Sequence, residues 1–144
     1  MDDATPVTPA DDVQVDVGKR RRVLVIEDND DIRETLRTLL TLWGHEVETA
    51  TEGRTGLERV LTARPDVALV DIGLPGLSGY DVARAIRARL PHSDIRLVAV
   101  TGYGQPADRA RALAAGFDAH LLKPVAPDAL AREIARVDHL RAPA

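Results

Sequence analysis

Short runs of consecutive apolar residues alternate along this chain with longer segments whose apolar residues recur at helical spacing. The run VLVIED (23–28) is followed by Ile32, Leu36, Leu39, Leu40 and Trp43, a single helical stripe that Gly44 ends. HEVETA (45–50) is short and half polar, which predicts a strand near a sheet edge. Leu57, Val60 and Leu61 predict a second helix, closed by Arg64-Pro65-Asp66 before the third strand, VALVDI. Val82, Ala83, Ile86 and Leu90 mark a third helix ended by Pro91, and IRLVAV (95–100) is the fourth strand. Pro106 suits the first turn of an Ala-rich helix that stops at Gly116; AHLLK (119–123) is the fifth strand. Pro127 opens a last helix carrying Leu130, Ile134 and Val137.

Five strand–helix pairs in strict alternation predict the α/β class. Crossovers between parallel strands are almost always right-handed, so the expected architecture is a doubly wound, five-stranded parallel sheet with five helices. Its expected strand order is the flavodoxin-like 2-1-3-4-5. A chain of 144 residues allows about one domain. The expected division is a disordered acidic tail and basic flank (1–20), the domain proper (21–140) and a short C-terminal stub (141–144). With few aromatics, the core must be built from Val, Leu, Ile and Ala.

Charge changes this picture only at the N-terminus. Residues 1–18 carry five Asp and no basic residue, which leaves the remainder nearly neutral. The run Lys19–Arg22 reads as the solvated flank of a strand rather than a nucleic-acid contact, so no nucleic-acid partner is expected. No apolar run reaches the roughly 18 residues of a membrane span. The N-terminus has no apolar stretch of a secretory signal, and there is no cysteine chemistry to consider. A cytoplasmic location without membrane contact is the default.

The informative residues stand where the strands end. In a doubly wound sheet the carboxyl ends share one edge, and ligands bind beyond it. That edge receives Glu27-Asp28 from strand one, Asp71 from strand three, Thr101 from strand four and Lys123-Pro124 from strand five. Each has an ordinary explanation alone: a helix cap, a turn residue, a β-former, a surface lysine. Together they are harder to dismiss, because two carboxylates about 5 Å apart repel by roughly 3 kcal/mol at an effective dielectric near 20. Either one of them takes up a proton or a cation settles among them. All-oxygen ligands from Asp28 and Asp71, with Glu27 acting through a coordinated water, suit Mg²⁺. An ionised Asp71 beside Mg²⁺ and Lys123 could attack a phosphoryl group without a general base. Thr101 and backbone amides would share the charge of its oxygens. Glycines at 73, 76 and 79 let the following loop bend close to Asp71.

VIEDND, VDIGLPGLSG, VTG and LLKP, in this order and spacing, resemble the receiver domain of two-component response regulators, and TGYGQPADRARALAAGFDAHLLKPV (101–125) resembles most the receivers of hybrid sensor kinases. The resemblance spans residue 22 to about 138. It implies that Asp71 is the phospho-acceptor, supplied by a sensor histidine kinase or a histidine phosphotransfer protein. It further implies that Glu27 and Asp28 are the acidic pair, the Gly73 carbonyl a metal ligand, Thr101 the switch hydroxyl and Lys123 the phosphate contact. The Lys123-Pro124 peptide is expected to be cis. Many receivers carry Tyr or Phe three residues before the lysine, where this chain has His120, read either as a pivoting switch or as a half-buried, hydrogen-bonded histidine. Gly73 and Tyr103 hold the two positions that tune hydrolysis in this family, and they imply a persistent phosphoryl group.

Only 20 residues follow Pro124, so output is expected through protein contact at the fourth and fifth helices and fifth strand, without a DNA-binding domain. The protein is expected to be a monomer or a weak, phosphorylation-dependent dimer, and a signalling module rather than an enzyme. Two alternatives are an aspartyl-phosphate phosphohydrolase and a phosphorylation-independent interaction module. The first typically needs an acid two positions after its nucleophile, where Gly73 stands. The second leaves the acidic, Thr and Lys set without a role.

Overall fold

The computed structural model describes residues 19–102 and 106–136. Strands β1 (Arg22–Ile26), β2 (Glu46–Ala50), β3 (Val67–Asp71), β4 (Arg96–Thr101) and β5 (Ala119–Leu122) alternate with helices α1 (Asp30–Leu42), α2 (Gly53–Ala63), α3 (Gly79–Arg89), α4 (Pro106–Ala115) and α5 (Pro127–Ala135). The strands form one parallel sheet in the order β2-β1-β3-β4-β5, as the alternating pattern predicts. The acidic segment 1–18, Tyr103, Val137 and the stub 141–144 lie outside the described residues.

Local chemistry sets the element ends. The Asn29 side chain accepts the Ile32 N–H at 2.9 Å and starts α1. Gly44, at φ 93°, ends it with a left-handed turn. Ser78 caps α3 through the Asp81 N–H. Arg64 closes α2 with φ 50°, where glycine is the usual residue.

Alternation along the strands divides the core in two. Leu24, Ile26, Ala68, Val70, Leu97 and Ala99 pack under α2, α3 and α4 with Val60, Ile86 and Ala112. Val23, Val25, Val67, Leu69, Val98 and Val100 pack under α1 and α5 with Leu36, Leu40, Leu130 and Ile134. β3, at the centre, is buried throughout, whereas the half-polar β2 forms an edge.

Two strands stop short of their expected length. β1 ends at Ile26: the Glu27 N–H still reaches the Ala50 carbonyl at 3.0 Å, but the chain then turns into the Asn29 cap. β5 ends at Leu122, and the Lys123–Pro124 peptide that follows is cis. Both shortfalls move polar residues from strand to loop, where their side chains converge.

Candidate functional site

Because the five strands are parallel, every carboxyl end opens on the same edge. β1 and β3 are neighbours, so the loop after β1 and the last residue of β3 meet. Carboxylate oxygens of Glu27, Asp28 and Asp71 all lie within 4.8 Å of one another. Glu27 and Asp71 are buried while Asp28 is exposed, so the cluster has a closed floor and an open mouth. Lys123 reaches in from the end of β5. Its Nζ stands 3.0 Å from Glu27 Oε1 and 3.4 Å from Asp71 Oδ1.

Backbone bonds hold these groups in place. The Asn29 N–H donates to Glu27 Oε2 at 3.1 Å, and the Gly73 N–H donates to Asp71 Oδ1 at 3.0 Å. Arg33 Nη1 donates to the carbonyls of Glu27 (3.1 Å) and Asp28 (3.5 Å), clamping the acidic loop from the first turn of α1. The Lys123 N–H donates to the Thr101 carbonyl at 2.8 Å, and the Ile72 N–H to the Val100 carbonyl at 3.1 Å. Thr101, only 2% exposed, therefore sits between the Asp71 and Lys123 chain segments.

One lysine does not balance the cluster. Burial raises the pKa of Glu27 above its ordinary 4.5; the Asn29 amide and the Lys123 ammonium pull it down, and the Asp71 charge pushes it up again. The net direction is upward. Burial works against the charged form of Lys123, but Glu27 and Asp71 together outweigh it and leave its pKa raised. Lys123 faces Glu27 Oε1 off the hydrogen-bond axis, so this buried oxygen has an ion-pair partner but no directed hydrogen bond.

The donor set fits a hard divalent cation: oxygens alone, an exposed carboxylate at the mouth, and a buried oxygen lacking a directed donor. No described residue donates to the Gly73 carbonyl, which leaves that oxygen open as well. Asp71 takes both of its protein contacts on Oδ1, so Oδ2 is its open oxygen.

Glu27, Asp28, Asp71, Gly73, Thr101 and Lys123 thus come together at one edge. His120 lies apart from it. It pairs with Ala99, one step back along the sheet from Thr101. His120 is half-buried, and no hydrogen bond at its Nε2 occurs among the described residues. Tyr103 lies outside the described residues. Asn29 and Arg33 belong to the site's framework without having been singled out from the sequence, whereas Gly79, read there as letting the loop approach Asp71, does lie against the Asp71 backbone. Asn29 offers in the sequence only the signal of a helix cap, and Arg33, five residues after Asp28, offers none.

No helix among the described residues is long and apolar enough to cross a membrane. Residues 23–135 match the response regulator receiver domain family. The chain is 34% identical over 125 residues to "Probable transcriptional regulator ycf27" of Guillardia theta, which covers 87% of this chain and 48% of that protein. It is 37% identical over 103 residues to the transcriptional regulatory protein AfsQ1 of Streptomyces coelicolor, covering 72% and 44%. This chain thus spans about half the length of these curated relatives. Among solved structures it resembles a CheY-like response regulator receiver domain protein from Methanospirillum hungatei, with TM-score 0.75 and 30% identity over 83% of this chain and 95% of that one. Sequence match, strand order and the rim of acids beside a lysine agree, and the chain belongs to the response regulator receiver domain family.

Proposed function

We propose that this domain accepts a phosphoryl group on Asp71 from a phosphohistidine, with Mg²⁺ held by Glu27, Asp28, Asp71 and the Gly73 carbonyl. The observation that carries the reading is the convergence of three carboxylates within 4.8 Å, with Lys123 Nζ 3.0 and 3.4 Å from two of them. Asp71 Oδ2, the oxygen without a protein contact, is the nucleophile. A lone pair on Oδ2 forms the new O–P bond, and the P–N bond of the donor breaks with its electron pair returning to the imidazole nitrogen. Bound Mg²⁺ would supply charge neutralisation at the phosphoryl oxygens. Lys123 is placed to move from its carboxylate partners to one phosphoryl oxygen, and the Gly73 amide fixes the carboxylate that attacks.

Thr101 is the group that reports the change. It ends β4 next to Asp71, and its carbonyl holds the Lys123 amide, so movement at the phosphate is shared with the start of the β5–α5 loop. His120 extends the same path along β5 as the switch residue, its buried Nε2 having no hydrogen-bond partner among the described residues. Output is a protein contact through α4, β5 and α5, where Leu113 and Leu122 are exposed. The donor is a sensor histidine kinase or histidine phosphotransfer protein, and the exchange takes place in the cytoplasm. Relatives that are transcriptional regulators about twice as long favour a second reading, in which the same domain governs a DNA-binding partner domain.

The test is exposure to acetyl phosphate with Mg²⁺, followed by intact mass. The proposal requires one added phosphoryl group, absent in Asp71→Asn and absent when Mg²⁺ is chelated. An unmodified protein, or modification that survives Asp71→Asn, sinks it.

A further inference from the structure

Asp28 is the exposed arm of the carboxylate cluster, and its side chain makes no hydrogen bond or ion pair among the described residues. Its place at the rim is therefore set by the backbone on which it stands, and one side chain grips that backbone. Arg33, in the first turn of α1, donates from Nη1 to the Glu27 carbonyl at 3.1 Å and to the Asp28 carbonyl at 3.5 Å. From Nη2 it donates to Asp30 Oδ1 at 2.6 Å. The Arg33 side chain is only 12% exposed, so its guanidinium is packed into the protein while its partner Asp30 stands in water.

The helix dipole does not explain a cation here, because it favours acids at a helix start and bases at the end. The acidic loop does. Asn29 completes the frame: its N–H holds Glu27 Oε2, and its side chain accepts the Ile32 N–H. Of the acids further along α1, Asp31 is exposed and Glu34 pairs with Arg37 at 2.6 Å.

This grip bears on the choice of ion. Ca²⁺ takes about six to eight oxygens, backbone carbonyls among them, at roughly 2.3–2.6 Å in a pliable shell. Mg²⁺ demands an octahedron at roughly 2.0–2.1 Å, keeps several waters and needs only one or two carboxylates. Arg33 occupies two carbonyls of the loop and ties down Asp30, which stands outside the group of three clustered acids. The loop is left to offer the Asp28 carboxylate from a fixed backbone, which resists widening around a larger ion.

We propose that Arg33 is the positioning residue that makes the rim prefer Mg²⁺ over Ca²⁺, by withholding the Glu27 and Asp28 carbonyls and Asp30 Oδ1 and by stiffening the Glu27-Asp28 turn. The inference rests on the reading of Glu27, Asp28 and Asp71 as a Mg²⁺ site and adds to it a cause of selectivity. The charge of Arg33 opposes both divalent ions alike, so losing the charge alone tightens both by a common factor. The ratio of the two dissociation constants isolates the grip.

Titration of the metal-free, full-length protein with MgCl₂ and with CaCl₂, followed at the backbone amides of Asp28 and Gly73, measures both constants. Arg33→Met is expected to lower Kd for Ca²⁺ relative to Kd for Mg²⁺ by about tenfold, the lower end of what partners of metal ligands contribute. Arg33→Lys keeps the charge without the fork and shifts the ratio in the same direction by less. Arg37→Met removes an exposed cation one turn further along α1 and leaves the ratio unchanged. Dispersion of core amides such as Leu69 and Val98 shows that the variants fold; an Arg33→Met protein that loses it passes the same criteria to Arg33→Lys. An unchanged ratio in both Arg33 variants, a common tightening of both ions, or an equal shift in Arg37→Met overturns the role of Arg33 and leaves the Mg²⁺ site standing. A parent protein whose Asp28 and Gly73 amides do not respond to Mg²⁺ overturns the site itself, and with it both the proposed function and this inference.

Discussion

Gly79 is pressed against the backbone of Asp71: a Cβ built on Gly79 would stand 2.5 Å from the Asp71 carbonyl oxygen and 2.7 Å from Ile72 Cα. The Gly79 N–H also donates to the Ile72 carbonyl at 3.2 Å, so the start of α3 and the end of β3 are one rigid piece. Gly79→Ala must displace backbone rather than a side chain, at a cost of about 1–3 kcal/mol. The displacement falls on Asp71, and its modification by acetyl phosphate should slow at least about tenfold, since small misplacements of a nucleophile are costly. Gly73→Ala is the control, because its Cβ would meet only Asp71 Oδ1 at 3.7 Å and its stability should change by less than about 0.5 kcal/mol. Urea midpoints and initial rates for the two variants check this; equal effects would show that contact with Asp71 is not what constrains Gly79.

Arg87 joins three parts of the fold from the last turn of α3. It donates to the carbonyls of Gly116 and Ile95, both at 2.9 Å, and to Asp118 Oδ2 at 2.8 Å. The same carboxylate oxygen accepts the Leu97 N–H at 2.9 Å. With side chains only 19% and 16% exposed, the pair lies largely out of water. Arg87→Met should therefore destabilise by about 2–4 kcal/mol, since two carbonyls lose a donor while the largely buried Asp118 carboxylate loses its cationic partner. In a double-mutant cycle with Asp118→Asn, the coupling should be about 1–3 kcal/mol. Additive losses would mean that the two residues act separately.

Particular residues show how far the sequence could be read. The run VALVD names a central buried strand by composition alone, and the half-polar EVETA names an edge. Parallel order then forces Glu27, Asp28, Asp71, Thr101 and Lys123 to a common edge, which is why the rim was legible without coordinates. Arg87 and Asp118 were not legible, because their 31-residue separation has no periodic signature and each alone passes for a surface charge. Arg96 misleads further: it opens β4 fully buried, paired with Glu133 on α5, although a charged residue at a strand's first position normally marks solvent. One glycine hid its purpose as well. Gly56 sits inside α2, where sequence reads only weak helix propensity, yet the Ile26 side chain fills the space a Cβ would need.

His45 makes stability depend on pH. It is 5% exposed, and its Nδ1 accepts the Arg21 N–H at 2.9 Å, so the neutral ring carries its proton on Nε2. Burial first, and the Arg21 charge second, lower its pKa below the ordinary 6.5. As pH falls below about 6.5 the unfolded chain takes up a proton that the folded chain refuses, so stability is full above that value and declines below it. The slope from this residue approaches about 1.4 kcal/mol per pH unit until the folded pKa is reached. Urea unfolding between about pH 7.5 and 5 should show the decline, and His45→Gln should flatten it. Parallel curves for the two proteins would assign the slope to other groups.

The carboxylate cluster carries opposite signs for stability and for metal binding. Two carboxylates at this range repel by about 3 kcal/mol at an effective dielectric of 20, but Lys123 offsets part, and solvent screens the exposed Asp28. Removing that one charge should therefore relieve only about 0.5–1 kcal/mol, the scale of partly exposed ion interactions. Metal-free Asp28→Asn is expected to be more stable than the parent by that amount. Mg²⁺ should then help it less: a ligand that binds the folded state stabilises it by RT ln(1 + [L]/Kd), and Kd rises when a carboxylate ligand is lost. Urea midpoints with a chelator and with millimolar Mg²⁺ separate the two effects. The expected pattern is a crossing, with Asp28→Asn ahead without metal and behind with it. A variant that is weaker without Mg²⁺ yet gains as much from it as the parent would show that Asp28 neither repels its neighbours nor holds the ion.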